Sequence, residues 1–386
     1  MDGTRGAAQV ERSANQAACL LFLADTDGAQ TVGVISAGTG LSRPTVHAVL
    51  DDLLEAGLVV STEPSTVGPG RPARAFRFAR EAGLVAGVDL GPRGARAVIC
   101  DLSGRRLAYT ELKRDRRAEV AMIQRAINAA ADAGSIDVGR LRAVGVALPG
   151  VIETSGHLRA SLALPELVGL PVAETVSQDL GCPVAIDNDI KLAALAEQRA
   201  GAGRGYSDVV YLQIGRRLSV SIVLNGVIRQ GRHRLAGELG AQRGMRWTRN
   251  AQRGQLKWTS HPTSEAVLTA AAGGDPDAQA EVEDFCEQIA GRIATVLLVV
   301  DPEVVVVRGG LPQDTGALLR PLAAAVEKEL VFPERPPFVA SALGREAVVL
   351  GAVGNAFDQF SSGIYGVHDY PSPWTQLTHD VERTSK

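Results

Sequence analysis

Apolar positions near the start of the chain recur at helical spacing. Leu20, Leu21 and Leu23 mark a helix over residues 15–24, and a polar break follows at 25–30. Residues 31–37 read as a second, shorter helix, weakened by Gly33. The clearest pattern comes next. Val46, Val49, Leu50, Leu53 and Leu54 recur at three- and four-residue steps and form one apolar stripe. Ser42 stands where an N-cap is needed, Pro44 fits the first helical turn, and Gly57 supplies a left-handed stop. The opposite face opens with Arg43, Thr45 and His47. Residues 59–63 and 75–78 read as paired strands around the Gly/Pro-rich tip S-T-V-G-P-G-R-P-A-R. Helices followed by a two-stranded ribbon predict a winged helix-turn-helix, with helix 42–54 offered to a DNA groove.

From residue 83 strands alternate with helices. Strands are expected at 87–91, 95–101, 107–112, 143–147 and 183–186, with helices at 118–133 and 192–200. Strands at 209–214 and 220–225 then repeat the hairpin, with Asn225-Gly226 as a turn signal. A long helix over 278–300 leads into a strand at 304–307. Two hairpins, each followed by a helix, imply two related α/β lobes around a cleft. The expected division is 1–80 for the DNA-binding module and 81–386 for the body, with a disordered tail after about 365.

Composition narrows the function classes. The chain has 386 residues, enough for more than one domain, and 45% of them are hydrophobic. Its longest aliphatic run is too short to span a membrane, and the N-terminal residues do not resemble a signal peptide. Four scattered cysteines suggest neither disulfides nor a metal knuckle, so a cytoplasmic location is expected. Net charge is −3, and residues 1–80 set seven Arg against eight acids, so DNA affinity has to come from local features. Residues 71–80 hold four Arg and no acid. The expected DNA-contacting set is therefore Ser42, Arg43, Thr45 and His47 on the helix, with Arg71, Pro72 and Arg74 on the wing.

Six segments in order carry a family resemblance. They are T-G-L-S-x-x-T-V with G-P-G-R-P, then G-V-D-L-G, V-G-V-A-L-P-G-V-I-E-T-S-G and P-V-A-I-D-N-D-I-K-L-A-A-L-A-E. L-N-G-V-I-R-Q-G-x-x-x-x-A-G-E-L-G and D-P-E-V-V-V-V-R-G-G-L complete the set. Over about residues 15–359 the chain resembles the ROK family of bacterial sugar-responsive repressors and sugar kinases. The resemblance implies an α/β fold in which the winged helix-turn-helix precedes a two-lobed, actin-like (ribonuclease H-like, sugar-kinase-type) body. It places the kinase base at Asp189 and a sugar-binding carboxylate at Glu238, with Gly150 and Asn188 beside them as ligand-binding positions.

The phosphate equipment departs from the family pattern. Where the first loop has D-x-G-G-T, this chain has Asp89-Leu90-Gly91-Pro92-Arg93; the second, G-T-G-x-G, is replaced by Gly215-Arg216-Arg217-Leu218-Ser219. Pro92 removes an N–H donor and bulky side chains fill the second turn. The family's zinc-ligand positions fall on Ala241, Thr248, Asn250 and Gln255, so no metal and no cofactor is expected. Asp189 is then either a ligand contact and vestigial base or a cap of the following helix; Glu238 is either a ligand contact or a surface carboxylate. Residues 216–257 carry ten basic side chains and one acid, either a solvated face or an anion site. The expected partners are double-stranded operator DNA, a sugar or phosphosugar effector, and a second copy of the chain in a dimer or dimer of dimers. A sugar kinase with a DNA-binding arm and a constitutive DNA binder are the competing readings.

Overall fold

The computed structural model describes residues 3–62, 74–114, 119–242, 246–252, 254–309, 316–332 and 334–378. At the N-terminus lie helix α1 (Gly3–Asp25), strand β1 (Gln30–Thr31), helices α2 (Val32–Thr39) and α3 (Arg43–Glu55), and strands β2 (Val59–Thr62) and β3 (Ala75–Phe78). Thr31 caps α2 by accepting the Val34 N–H, and Gly40 ends that helix in the left-handed region. Ser42 caps α3, its hydroxyl accepting the Thr45 N–H at 3.3 Å, and Gly57 follows with φ of 68°. Val46, Val49, Leu50 and Leu53 are buried in one cluster with Leu20, Leu23, Ile35, Phe76 and Phe78. Arg12 fastens α1 to α3 through Asp52, at 2.8 and 2.5 Å. The structure differs from expectation in two details. Helix α1 begins well before residue 15, and β1 joins the wing ribbon by pairing with β3.

The body holds two five-stranded sheets with the same strand order. In the first lobe β4 (Leu84–Gly91), β5 (Gly94–Asp101) and β6 (Arg106–Lys113) form an antiparallel meander. Helix α4 (Ala121–Gly134) leads to β7 (Leu141–Leu148), parallel to β4. A small hairpin, β8 (Val151–Ile152) and β9 (Leu158–Ala160), and helix α5 (Val172–Leu180) precede β10 (Val184–Asn188), parallel to β7. Helix α6 (Asp189–Ala200) then crosses to the second lobe, where β11 (Val209–Ile214), β12 (Leu218–Leu224) and β13 (Val227–Ile228) repeat the meander. Asn225 and Gly226 turn that last hairpin with φ of 55° and 72°. Helices α7 (Ser264–Ala272) and α8 (Pro276–Val300) lead to β14 (Val304–Arg308), α9 (Leu319–Lys328) to β15 (Phe338–Ala340), and α10 (Ala347–Tyr365) closes back on the first lobe. The orders β6-β5-β4-β7-β10 and β13-β12-β11-β14-β15 correspond strand for strand.

Glycines bring α10 against the first sheet. A Cβ on Gly87 would sit 2.7 Å from the Val349 carbonyl oxygen, and one on Gly145 1.8 Å from that of Ala352. No helix among the described residues is long and apolar enough to cross a membrane.

The expected disorder after 365 is corrected for residues up to 378. Val367, Tyr370, Trp374 and Leu377 are buried. The Tyr370 ring lies 4.1 Å from that of Tyr365, and Trp374 Nε1 donates to Asp358 at 3.1 Å. The polar composition of the segment hid these apolar anchors, which cover α10. Residues 379–386 lie outside the described residues.

Candidate functional site

Two surfaces bring sequence-predicted residues together. The first is the outer face of α3. Ser42, Arg43 and His47 are exposed there, one turn apart at the N-terminal end. Thr45 is half-buried, and its hydroxyl lies 2.8 Å from that of Ser42, so part of its hydrogen-bonding capacity serves the cap. Of the acidic residues further along, Asp52 is occupied by Arg12 and Gln16. Asp51 and Glu55 are exposed and continue the Arg43–His47 row at four-residue spacing, toward the C-terminal half. Arg71 and Pro72 lie outside the described residues. Arg74 lies across the ribbon, 5.3 Å from the Phe76 ring centroid, and donates to the Ser61 hydroxyl at 3.1 Å. Arg77 is paired with Glu81, just past the acid-free window, so the ribbon offers less free charge than its composition suggests.

The second surface is the cleft between the lobes. Asn188 ends β10 and caps α6, accepting the Lys191 N–H at 3.1 Å, while its Nδ2 donates to the Gly150 carbonyl at 2.8 Å. Gly150 has φ of 136°, and a Cβ there would sit 2.3 Å from the Ala160 carbonyl oxygen. The cap expected of Asp189 therefore belongs to Asn188. Asp189 occupies the first helical position, its Oδ1 accepting the Ile190 N–H at 2.9 Å. Burial, then the charges of Asp89 and Glu238, push its carboxyl up to about 6. Glu238 is half-buried, not a surface carboxylate, and burial raises its carboxyl too. Gly150, Asn188, Asp189 and Glu238 thus converge, with Asp89 added from β4.

Beside this cluster lie the two turns that the resemblance aligns with the family's phosphate loops. Gly91 pairs with Gly94, so Pro92-Arg93 closes a two-residue hairpin. In the second turn the Gly215 N–H donates to the Arg217 carbonyl at 3.0 Å and is spent inside the loop. Ser264 donates to the Gly215 carbonyl at 2.6 Å, which pins that turn from the other side. Arg308, at the end of β14, donates to Gln213 at 2.8 Å. Burial works against the Arg308 charge, while Asp89 and Asp189 support it. Arg96 lies 3.5 Å from Asp89. The cations near the cleft carboxylates come from the chain itself.

The basic stretch divides in the same way. Arg229, Arg232, Arg246 and Lys257 are exposed, and Arg249 pairs with Asp284. Arg234 instead crosses between lobes, donating to the Ile152 carbonyl at 2.9 Å and to Asp187 at 3.0 Å. Gln230 also donates to Asp187, and Lys191 Nζ reaches the Arg234 carbonyl at 3.1 Å. Arg217 reaches the Leu162 carbonyl at 3.4 Å. In the segment that the resemblance aligns with the family's zinc ligands, buried Trp247 and Leu256 pack into the second-lobe core, and Thr248 is buried.

Residues 85–245 and 242–357, most of the chain, match the profile of the ROK family. The chain belongs to the ROK family. Residues 10–68 match the MarR family, over the helices of the N-terminal module. Over 238 residues the chain is 30% identical to the bifunctional enzyme NanE/NanK of Brucella suis biovar 1 (strain 1330), covering 58% of this chain and 44% of that protein. It is 26% identical over 213 residues to the xylose repressor of Caldicellulosiruptor bescii, covering 53% of each. The chain thus spans about half the length of the curated relatives it matches. Among solved structures, a ROK family transcriptional regulator described as a homolog of the E. coli MLC protein superposes with a TM-score of 0.65. That match has 21% identity and covers 96% of this chain and all of the other. A ROK family glucokinase from Streptomyces griseus, in complex with glucose and AMPPNP, gives 0.59 at 23% identity, over 72% of this chain and all of that one. These likenesses establish the fold: a winged helix-turn-helix ahead of a two-lobed, sugar-kinase-like α/β body.

Residue-by-residue reading missed Arg308, Arg96, Lys191, Asp187 and Arg234 as members of the cleft and its border. Arg308, Asp187 and Lys191 do fall inside quoted motifs, V-V-V-V-R-G-G and D-N-D-I-K. Their unusual charge within apolar runs was the available signal.

Proposed function

We propose that this ROK protein is a sequence-specific DNA-binding transcription regulator, a repressor, whose body senses a sugar-type ligand in the interlobe cleft and does not phosphorylate it. The observation that carries the reading is α3: a capped helix with its apolar stripe buried and Arg43 and His47 exposed at its leading end. The xylose repressor among the relatives and the MarR-family match over residues 10–68 support it. Two subunits would set two copies of α3 on a pseudo-palindromic operator, as two-fold symmetry requires. The proposed division places the DNA module within residues 1–80 and the sensing body in 81–386. Absence of phosphoryl transfer rests on the spent Gly215 N–H, the Pro92 hairpin, and Arg308 and Arg96 serving as counter-charges to Asp89 and Asp189.

The experiment is selection of genomic fragments by the full chain, then challenge of the complex with neutral and phosphorylated sugars. Recovery of one preferred operator, released by a sugar, is expected. Binding that non-specific competitor DNA removes equally well would overturn the reading. A second reading, an ATP-dependent sugar kinase with a DNA-binding arm, draws on Asp189, whose raised carboxyl suits a base accepting a hydroxyl proton. It requires ATP turnover on some sugar that Asp189→Asn abolishes.

A further inference from the structure

Behind the cleft lies a second concave site with no assigned role. Strand alternation puts Asp187 on the α10-facing side of β10, opposite to Asn188. There a cavity of about 460 Å³ opens at the free edge of β10. That volume is within the roughly 300–1,000 Å³ of small-molecule sites. Its walls come from both halves of the body. The 153–156 turn, α6 and α10 contribute from one side, and Gly226, Val227, Ile228, Gln230 and Arg234 from the other.

Two polar atoms on residues that line this cavity are buried without a hydrogen-bond partner among the described residues: Gln230 Oε1 and Asn355 Nδ2. Asn355 is 8% exposed, and its Oδ1 is already taken by Gln359 Nε2 at 3.1 Å. An unmet buried donor or acceptor costs about 1–3 kcal/mol, and a small rotation of Gln230 or Asn355 toward the cavity would let a ligand that can donate and accept relieve that cost. Lys191, 3% exposed, adds an ammonium with three donors, one of which reaches the Arg234 carbonyl. The wall charges balance. Lys191, Arg199 and Arg234 face Glu153, Asp187 and Asp358, and two of the acids are already engaged, Asp187 by Arg234 and Asp358 by Trp374. A hydroxyl group would meet these demands, donating to Gln230 Oε1 or accepting from Asn355 Nδ2 or Lys191 Nζ once those side chains turn toward it. A phosphate has no net positive field to enter.

We propose that this cavity binds an uncharged polyhydroxylated small molecule, at a site separate from the Asp189 cleft. Because Gln230 and Arg234 lie on the second-lobe side while Asp187, Lys191 and Asn355 lie on the other, its occupant bridges the two halves and biases their relative angle. The proposal does not depend on the DNA-binding reading.

The test is calorimetric titration of the full chain with D-glucose, D-xylose, sorbitol and myo-inositol, with inorganic phosphate and glycine as charged and zwitterionic comparisons. It is run on wild type, Asp189→Asn, Asn355→Leu and Thr154→Trp. Thr154 lies on the exposed turn at the cavity rim, so its substitution blocks the site without touching the core and covers the case in which Asn355→Leu fails to fold. At least one neutral polyol is expected to bind Asp189→Asn with unchanged Kd and to bind Thr154→Trp and folded Asn355→Leu at least tenfold more weakly. Three results would overturn the proposal: no polyol binding, polyol binding lost in Asp189→Asn but intact in Thr154→Trp, or binding of phosphate or glycine alone at this site.

Discussion

Arg234→Ala tests the clasp between the lobes. The substitution removes a charge-assisted bond to Asp187 at 3.0 Å and a bond to the Ile152 carbonyl at 2.9 Å. The side chains of the ion pair are only 22% and 12% exposed, so water replaces the lost partner poorly. Both bonds are donated by the guanidinium and are charge-assisted, each contributing about 1.5–3 kcal/mol; with partial replacement by water the expected loss is on the order of 2–4 kcal/mol. The bond from Lys191 to the Arg234 carbonyl is main-chain on the acceptor side and survives. Residue 234 has φ of 61°, a conformation that burdens alanine as much as arginine. Arg234→Gly is therefore expected to be about 1 kcal/mol more stable than Arg234→Ala. Urea unfolding followed by tryptophan fluorescence reads both halves, because Trp374 packs on the first lobe and Trp247 and Trp258 in the second. A cycle with Asp187→Ala should show coupling of about 1–2 kcal/mol between the two positions. Coupling below about 0.5 kcal/mol, or a glycine variant no better than alanine, would refute the clasp.

Ser42→Ala removes the N-cap of α3 and is expected to cost about 1 kcal/mol, read as a lowered midpoint of thermal unfolding, with weaker operator binding because Thr45 loses its hydroxyl partner. Asp189→Asn should make stability less sensitive to pH. The folded-state carboxyl, near 6, lies above its ordinary 3.8, so the folded chain holds the proton more tightly. The contribution of this group to stability is then greatest below about pH 4 and is lost as pH rises through 6. The asparagine variant is expected to gain on the order of 2 kcal/mol over wild type at pH 7.5 and to lose that advantage below pH 4; a constant difference across that window would contradict the assignment. Trp374→Ala opens a cavity against Gly354, where the indole sits closer than any Cβ would allow. A loss of about 3–5 kcal/mol in urea unfolding is expected, whereas a negligible loss would restore the picture of a loose tail.

The recurrence of apolar residues at 46, 49, 50, 53 and 54 was enough to define α3, because a surface helix shows its buried stripe in its own sequence. The duplicated sheets were equally legible, since each hairpin and crossover helix carries local signals. Pairings between distant segments were not. Strand β1 has two residues, and only its partner β3 makes it a strand. The buried tail escaped because Val367, Tyr370, Trp374 and Leu377, although three or four residues apart, are set among prolines, histidines and charged residues; their burial depends on α10 being there to receive them. At the cleft, motif positions pointed to Asp189 and Glu238. The cation beside Asp189, Arg308, comes from β14, far away in sequence, whereas the cation beside Glu238, Lys191, lies in the same motif as Asp189.

The packing of the N-terminal module also constrains how a cleft ligand can influence DNA. Leu20, Leu50 and Phe78 belong to the same contiguous buried cluster as Val85, Val98, Phe357 and Tyr365 of the first lobe. The Ser13 hydroxyl accepts the His368 N–H at 2.9 Å, and the Leu102 N–H donates to the Arg80 carbonyl at 3.0 Å. A close-packed core of this kind transmits rotation without deforming, so α3 and the first lobe behave as one body. The second lobe is joined to that body through α6, α10 and the Arg234 clasp. A ligand bound in either concavity would then change one angle, that between the second lobe and everything else. In an assembly whose subunits met through their first lobes, the two α3 copies would keep their spacing whatever the cleft did. Only contact through the second lobe converts that angle into a new half-site spacing, and the coupling energy cannot exceed the ligand's preference for one angle over the other.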